Sequence, residues 1–151
     1  MRDPDCVFCK IVAGDLPARF IYADETVVSF LDISPATPGH ALVAPRAHRR
    51  DLWEIEDEEL AAVNLTARKV AAALRDVLAA PGMWLHHVSG EVAGQDVFHY
   101  HLHVIPRYEG DTVQAGWGEP PWSSPELSET DLDTMAGRVR EALAGRMRKH
   151  V

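Results

Sequence analysis

Apolar side chains recur along this chain with two periods, and the change from one to the other predicts its elements. Residues 19–23 and 26–32 alternate or cluster β-forming apolar residues about Asp24-Glu25, which predicts a hairpin. Val27, Val28, Phe30 and Leu31 form the body of its second strand, and Asp32 sits at the end, where a carboxylate can face a pocket. The breaker-rich run Ser34-Pro35-Ala36-Thr37-Pro38-Gly39 follows, and His40–Ala44 then reads as a third strand stopped by Pro45. Between 57 and 79 the period changes. Leu60, Val63, Ala67, Val70, Leu74 and Val77 fall at steps of three and four, one buried stripe of a helix. Glu56 to Glu59 lie at its positive end and Pro81-Gly82 terminates it.

Met83–Ser89 predicts a fourth strand carrying His86 and His87, at most one of which can face a site, each reading as structural or exposed. A loop over 90–97 leads into a fifth strand at 99–105, and residues 6–13 suit a short helical turn before Gly14. Gly90 and Gly94 in that loop suggest an anion-binding nest. Beyond Pro106 the pattern lapses. Residues 109–127 are rich in glycine and proline and hold Trp117 and Trp122. Ser128-Glu129-Thr130-Asp131 resembles a capping box, and Leu132, Met135, Val139, Leu143 and Met147 mark a last helix. The fold class expected is α+β: an antiparallel sheet of about five strands, one long helix packed on it, and a C-terminal tail helix.

Composition narrows the function. At 151 residues one domain with a proper core is expected, and 46% hydrophobic with 25% charged residues is ordinary for a soluble protein. A formal net charge of −8 argues against binding duplex nucleic acid but not against a small nucleotide, whose phosphates need only local donors. No apolar run is long enough to cross a membrane, and Met-Arg-Asp-Pro-Asp lacks the features of a signal peptide, so a cytoplasmic location is expected. In a reducing compartment Cys6-Val7-Phe8-Cys9 reads as half a zinc site or a redox pair; with no strand before it, the half-site is the better reading, and two more ligands are needed. Arg46, His48, Arg49 and Arg50 form a basic cluster whose arginines read as a solvated loop.

The chemistry concentrates in His99-Tyr100-His101-Leu102-His103-Val104-Ile105. On a strand, alternate residues share a face, so three imidazoles would stand about 6–7 Å apart with apolar residues behind them. Buried histidines are costly without partners. The run is therefore a hydrogen-bonded core feature, a metal centre, or a nucleophile with supporting imidazoles.

His-φ-His-φ-His-φ-φ, where φ is apolar, resembles the signature of the histidine triad family. Gly94-Gln95-Asp96-Val97-Phe98 resembles its lead-in, and Phe30–Pro35 and Thr37–Val43 match in register upstream. The likeness covers residues 6–108; a nucleotide-binding domain is expected over 1–108, with 109–151 as an extension packed on it. The resemblance implies cleavage at the α-phosphate of a purine nucleoside phosphate derivative, a phosphoramidate or dinucleoside polyphosphate, through a nucleotidyl-His101 intermediate. His103 would contact the phosphate or leaving group, Gln95 would position phosphate oxygens, and backbone donors at Asp96 and Val97 would stabilise charge. Asp32 would hold the ribose. Phe8, Phe30, Ile33 and Leu42 would line the base slot, though each reads equally as core.

The resemblance extends to a zinc-carrying branch, implying a closed structural site of Cys6, Cys9, His48 and His99 with His40 supporting His99 from behind. It also implies a homodimer with sheets joined edge to edge. Where relatives commonly carry asparagine, eleven residues before His99, this chain has Val88, and the neighbouring Ser89 is the remaining polar group. Two other functions stay open: a hydrolase with catalytic zinc on the triad, and a nucleotide-binding module with little activity.

Overall fold

The computed structural model describes residues 2–113 and 125–148, with side chains described through Arg146; the tryptophans singled out above, Trp117 and Trp122, lie outside these residues, as does the side chain of Met147. Five strands form one antiparallel sheet: β1 (Phe20–Ala23), β2 (Val27–Leu31), β3 (Ala41–Pro45), β4 (Gly82–His86) and β5 (Leu102–Arg107), in spatial order β1-β2-β3-β5-β4. Three helices accompany them: α1 (Val7–Ala13), α2 (Asp57–Leu78) and α3 (Glu129–Arg148). No helix among the described residues is long and apolar enough to cross a membrane.

The hairpin closes where its sequence asks. Asp24 Oδ1 accepts the N–H groups of Thr26 and Val27 at 2.8 and 2.7 Å, an Asx-type turn that sets the β1–β2 register. α2 lays Val63, Ala67, Val70 and Leu74 on one face of the sheet, against Val27, Leu31, Ala41, Val43, Leu102 and Val104. Ala79, in the left-handed region at φ 53°, ends the helix just ahead of Pro81.

The tail helix belongs to the same core. Ala136, Val139 and Leu143 of α3 are buried in the cluster that α2 makes with the sheet. Its start is a reciprocal cap, the Ser128 N–H donating to Asp131 and the Asp131 N–H to Ser128 Oγ. Polar contacts then clasp it to β1: Arg19 meets Asp133 at 2.8 Å, and Arg140 donates to the Phe20 carbonyl at 2.8 Å.

Several boundaries shift by a residue, β3 running Ala41–Pro45 rather than 40–44 because Pro45 still sits opposite Val27, and two larger shifts bear on the site. The fourth strand stops at His86 rather than Ser89, and the fifth begins at Leu102 rather than His99, so only His103 of the three histidines lies on a strand. The Tyr100 N–H explains the second: it donates to the Arg49 carbonyl at 2.6 Å, outside the sheet. Arg49 itself is no solvated loop residue. Its guanidinium takes both carboxylate oxygens of Glu59 at 2.8 and 2.9 Å, tying the loop after β3 to the first turn of α2.

Because Leu143 is 2% exposed within the shared core, Leu143→Ala should destabilise the protein by about 2–4 kcal/mol. Urea denaturation should show it as a lower midpoint in a single transition; an unchanged midpoint would mean that α3 is an appendage.

Candidate active site and metal centre

The face of the sheet opposite α2 carries a continuous row. Antiparallel pairing sets Phe30 opposite Leu42, Leu42 opposite His103, and His103 opposite His86. Phe8 of α1 packs over this row, with ring centroids 5.5 Å from Phe30, 4.9 Å from His101 and 5.7 Å from His99. Phe8, Phe30 and Leu42 form a small buried cluster with Cys6, Cys9 and Ile11, against which Val97 packs. The expected base-slot residues are thus together, in a cluster that is also local core. Ile33 stands apart at 83% exposure.

Hydrogen bonds determine which nitrogen of each imidazole carries its proton. His101 Nδ1 lies 2.7 Å from the His99 carbonyl, so it donates and leaves the lone pair on Nε2. The Ala36 N–H donates to His40 Nδ1 at 3.0 Å, which puts the His40 proton on Nε2. That Nε2–H, 2.8 Å from His103 Nδ1, donates there, and the His103 proton is therefore on Nε2. Asp32 Oδ2 is 3.5 Å from His40 Nε2, while Asp32 Oδ1 accepts the Ser34 N–H at 2.8 Å. Burial lowers the pKa of all three imidazoles: His40 to about 4, His103 to about 2 with help from neighbouring imidazoles, and His101 in the same direction. They are neutral at pH 7.

The cysteines and two histidines converge behind the row. Cys6 Sγ is 3.4 Å from His99 Nδ1, and Cys9 Sγ is 3.4 Å from His48 Nδ1 and 3.6 Å from His99 Nδ1. All four donor atoms lie within 4.8 Å of one another. Metal–sulfur bonds of about 2.3 Å and metal–nitrogen bonds of about 2.0–2.1 Å require tetrahedral S···N edges of about 3.5 Å. The donor set fits a zinc-sized ion. The Cys9 N–H points at Cys6 Sγ and the Asp3 N–H at Cys9 Sγ, each at 3.4 Å. His99 donates Nε2–H to the Pro45 carbonyl at 2.8 Å, leaving Nδ1 as the ligand nitrogen.

Asp32, His40 and His103 form a second such group by proximity alone. Here the tautomer argues against a metal, since the Ala36 N–H occupies His40 Nδ1 and the nitrogen facing the group carries a proton.

Several expected roles change. His40 bonds His103, and the support behind His99 comes from Pro45. Gln95 is 4% exposed with both amide hydrogens used: Nε2 donates to the Arg50 and Val97 carbonyls at 2.7 and 3.2 Å, and Oε1 accepts the Gly90 N–H at 2.7 Å. It braces the loop. The glycine nest is likewise spent, because the Gly94 N–H donates to the Glu91 carbonyl. Ser89 Oγ accepts the Leu52 N–H at 2.9 Å and donates to His87 Nε2 at 2.5 Å. His87 in turn donates Nδ1–H to the His101 carbonyl at 2.9 Å and stacks on Tyr100. Both His86 and His87 therefore reach the triad, because the chain leaves the strand after His86. No spacing rule announced His87 or the Ala36 amide.

A family model described as the HIT domain matches residues 13–110. The chain belongs to the HIT family. It is 40% identical over 141 residues to the protein hit of Bacillus subtilis, covering 93% of this chain and 95% of that one. Among solved structures, a zinc-bound histidine triad family protein from Mycobacterium smegmatis is 37% identical, with a TM-score of 0.80 over 96% of this chain and 97% of that one. A hypothetical histidine triad nucleotide-binding protein from Sulfolobus tokodaii is 30% identical, with a TM-score of 0.83 over 95% of each chain. A HIT family hydrolase from Legionella pneumophila is 32% identical, with a TM-score of 0.65 over 76% of this chain and all of that one. This HIT protein thus has the fold of a superfamily that includes nucleotide-binding and hydrolase members.

Replacing Gln95 with Ala strands the Gly90 N–H and two carbonyls, a loss of about 1–3 kcal/mol. Amide exchange at Gly90 should accelerate in Gln95→Ala; protection equal to the parent would contradict the bracing role.

Proposed function

We propose that this protein is a nucleotidyl hydrolase or transferase that cleaves at the α-phosphate of a purine nucleoside phosphate derivative, with His101 as nucleophile. The observation that carries the reading is the tautomer pattern. His101 has a neutral ring whose Nδ1–H is held by the His99 carbonyl, so its Nε2 lone pair is the one available for attack. His103, held through Nδ1 by His40, offers Nε2–H as a hydrogen-bond donor beside it, ring centroids 5.0 Å apart.

In the first step His101 Nε2 forms a bond to the α-phosphorus, and the bond from phosphorus to the leaving group breaks. The departing group keeps the electron pair, stabilised by the His103 Nε2–H. In the second step water forms the P–O bond, the P–N bond breaks, and the proton that water loses reaches the departed group through solvent. Among the described residues no protein acceptor engages the N–H groups of Asp96 and Val97, which leaves both for phosphate oxygens. Asp32, partly exposed at the end of the row, suits the ribose hydroxyls, and the edges of Phe30 and Leu42 with the exposed Ile33 suit the base. Ser89 Oγ, which accepts one N–H and keeps a second lone pair, is the polar group next in sequence to Val88 for a ligand contact.

Cys6, Cys9, His48 and His99 would hold a structural zinc, whose charge would keep the two buried thiolates ionised. With four protein ligands it has no open position for substrate. The fit of this closed set, and the proton on His40 Nε2, weigh against catalytic zinc on the triad. The remaining proposals are a homodimer and a division of the chain near residue 108, with the tail helix completing the core. A homodimer would join its two sheets edge to edge.

Brief incubation with a radiolabelled adenylate donor should leave acid-labile, base-stable nucleotide on the parent protein. His101→Ala should carry none and lose at least about a thousandfold in turnover; a variant that turns over like the parent excludes covalent catalysis and leaves a binding module.

Metal analysis should find one zinc per chain, lost in Cys9→Ser. Chelation should lower the melting temperature of the parent markedly and that of Cys9→Ser little. Metal-free parent protein with an unchanged melting temperature would contradict a structural zinc.

A further inference from the structure

We propose that His86 forms a leaving-group subsite that selects substrates whose departing part carries at least one phosphate beyond the scissile bond. The inference rests on the reading of His101 as the nucleophile and extends it to the far side of the reacting phosphorus.

The aromatic rings of the site succeed one another in one direction. Phe8 is 4.9 Å from His101, His101 is 5.0 Å from His103, and His103 is 5.9 Å from His86. Strand order gives the same polarity: Phe30 and Leu42 on β2 and β3, His103 on β5, then His86 on the edge strand β4. The apolar end suits a nucleoside, and the phosphorus sits between His101 and His103. An in-line displacement drives the leaving group away from His101, past His103, and towards His86.

His86 differs from the other imidazoles of the site. His40, His87, His99, His101 and His103 each hold a hydrogen bond to a protein group through at least one ring nitrogen. For His86 the contact is the tilted ring of His103, and its side chain is half-buried on the face that carries the row. Arg107 and Arg49 are already committed. Arg107 clasps Asp111 through two bonds of 2.7 and 2.8 Å and covers the Trp84 ring, and Arg49 is held by Glu59. Among the described residues neither His86 nitrogen is committed to a protein group, so the ring can donate a hydrogen bond to a phosphate oxygen. A leaving group as small as ammonia does not extend that far; a nucleotide, pyrophosphate or phosphate tail does.

The test uses the full chain as purified. Imidazole carbons are labelled with ¹³C, and the His86 signal is assigned by its loss in His86→Leu. Saturating ADP should shift the His86 resonance, whereas AMP, which ends at the α-phosphate, should not. The ratio of kcat/KM for diadenosine tetraphosphate to that for adenosine 5′-phosphoramidate should fall about tenfold in His86→Leu and recover in part in His86→Gln, which restores a donor. A His86 signal indifferent to ADP, or a ratio within twofold of the parent, overturns the subsite. If His101 is labelled normally in that case, only this inference falls. If the protein binds neither nucleotide, the reading of the site as a nucleotidyl hydrolase falls, and the subsite with it.

Discussion

His99 is held from both sides, and the arrangement of the site follows from that. Its Nε2–H is fixed by the carbonyl that ends β3, and its Nδ1 faces two sulfurs at the N-terminal turn. Its own carbonyl, placed by those constraints, takes the Nδ1–H of His101. One residue therefore joins the Cys/His cluster to the triad through backbone as well as side chain. A shift of the N-terminal turn would move the carbonyl that orients the His101 ring.

The same logic of committed protons runs through the rest of the site. A neutral imidazole has one donor and one acceptor, and in a dry site both need partners. The Ala36 amide begins a chain through His40 to His103 that ends in an outward donor; the His99 carbonyl leaves His101 with an outward acceptor. Two rings of the same chemical type, 5.0 Å apart, thus have opposite polarity. Backbone atoms provide the asymmetry. In the loop before β3, Gly39 has φ 92°, a conformation that favours glycine, and a Cβ there would meet the Leu78 side chain at the end of α2.

Polar groups that resemble ligand contacts in the sequence also serve as internal braces. Gln95 and the Gly94 amide satisfy neighbours within the loop between β4 and β5, and Ser89 Oγ ties that loop to the Leu52 N–H. A loop of such composition needs that bracing before it can present the Asp96 and Val97 amides in a fixed geometry, since every unpaired polar group buried with it would cost stability. Arg49 and Glu59 do the same for the loop after β3.

Periodicity in the sequence determined the sheet, the long helix and the buried stripe of α3, because burial on one face demands regular apolar spacing and nothing else satisfies it. The histidine run and the Cys-x-x-Cys pair likewise declared their chemistry, since imidazoles and thiols in such number have few other uses. Alternation placed His86 on a face and suggested that the triad lay on one strand, but it could not foresee the Tyr100 amide turning to Arg49 and ending the strand at Leu102. Only the tertiary structure decided the proton positions, the partners of His40 and Gln95, and the row from Phe8 to His86. Those depend on carbonyls and amides brought together from 36, 45, 49, 90 and 99. A backbone N–H or C=O looks the same at every position of a sequence, so its role as a partner becomes visible only when the chain has folded.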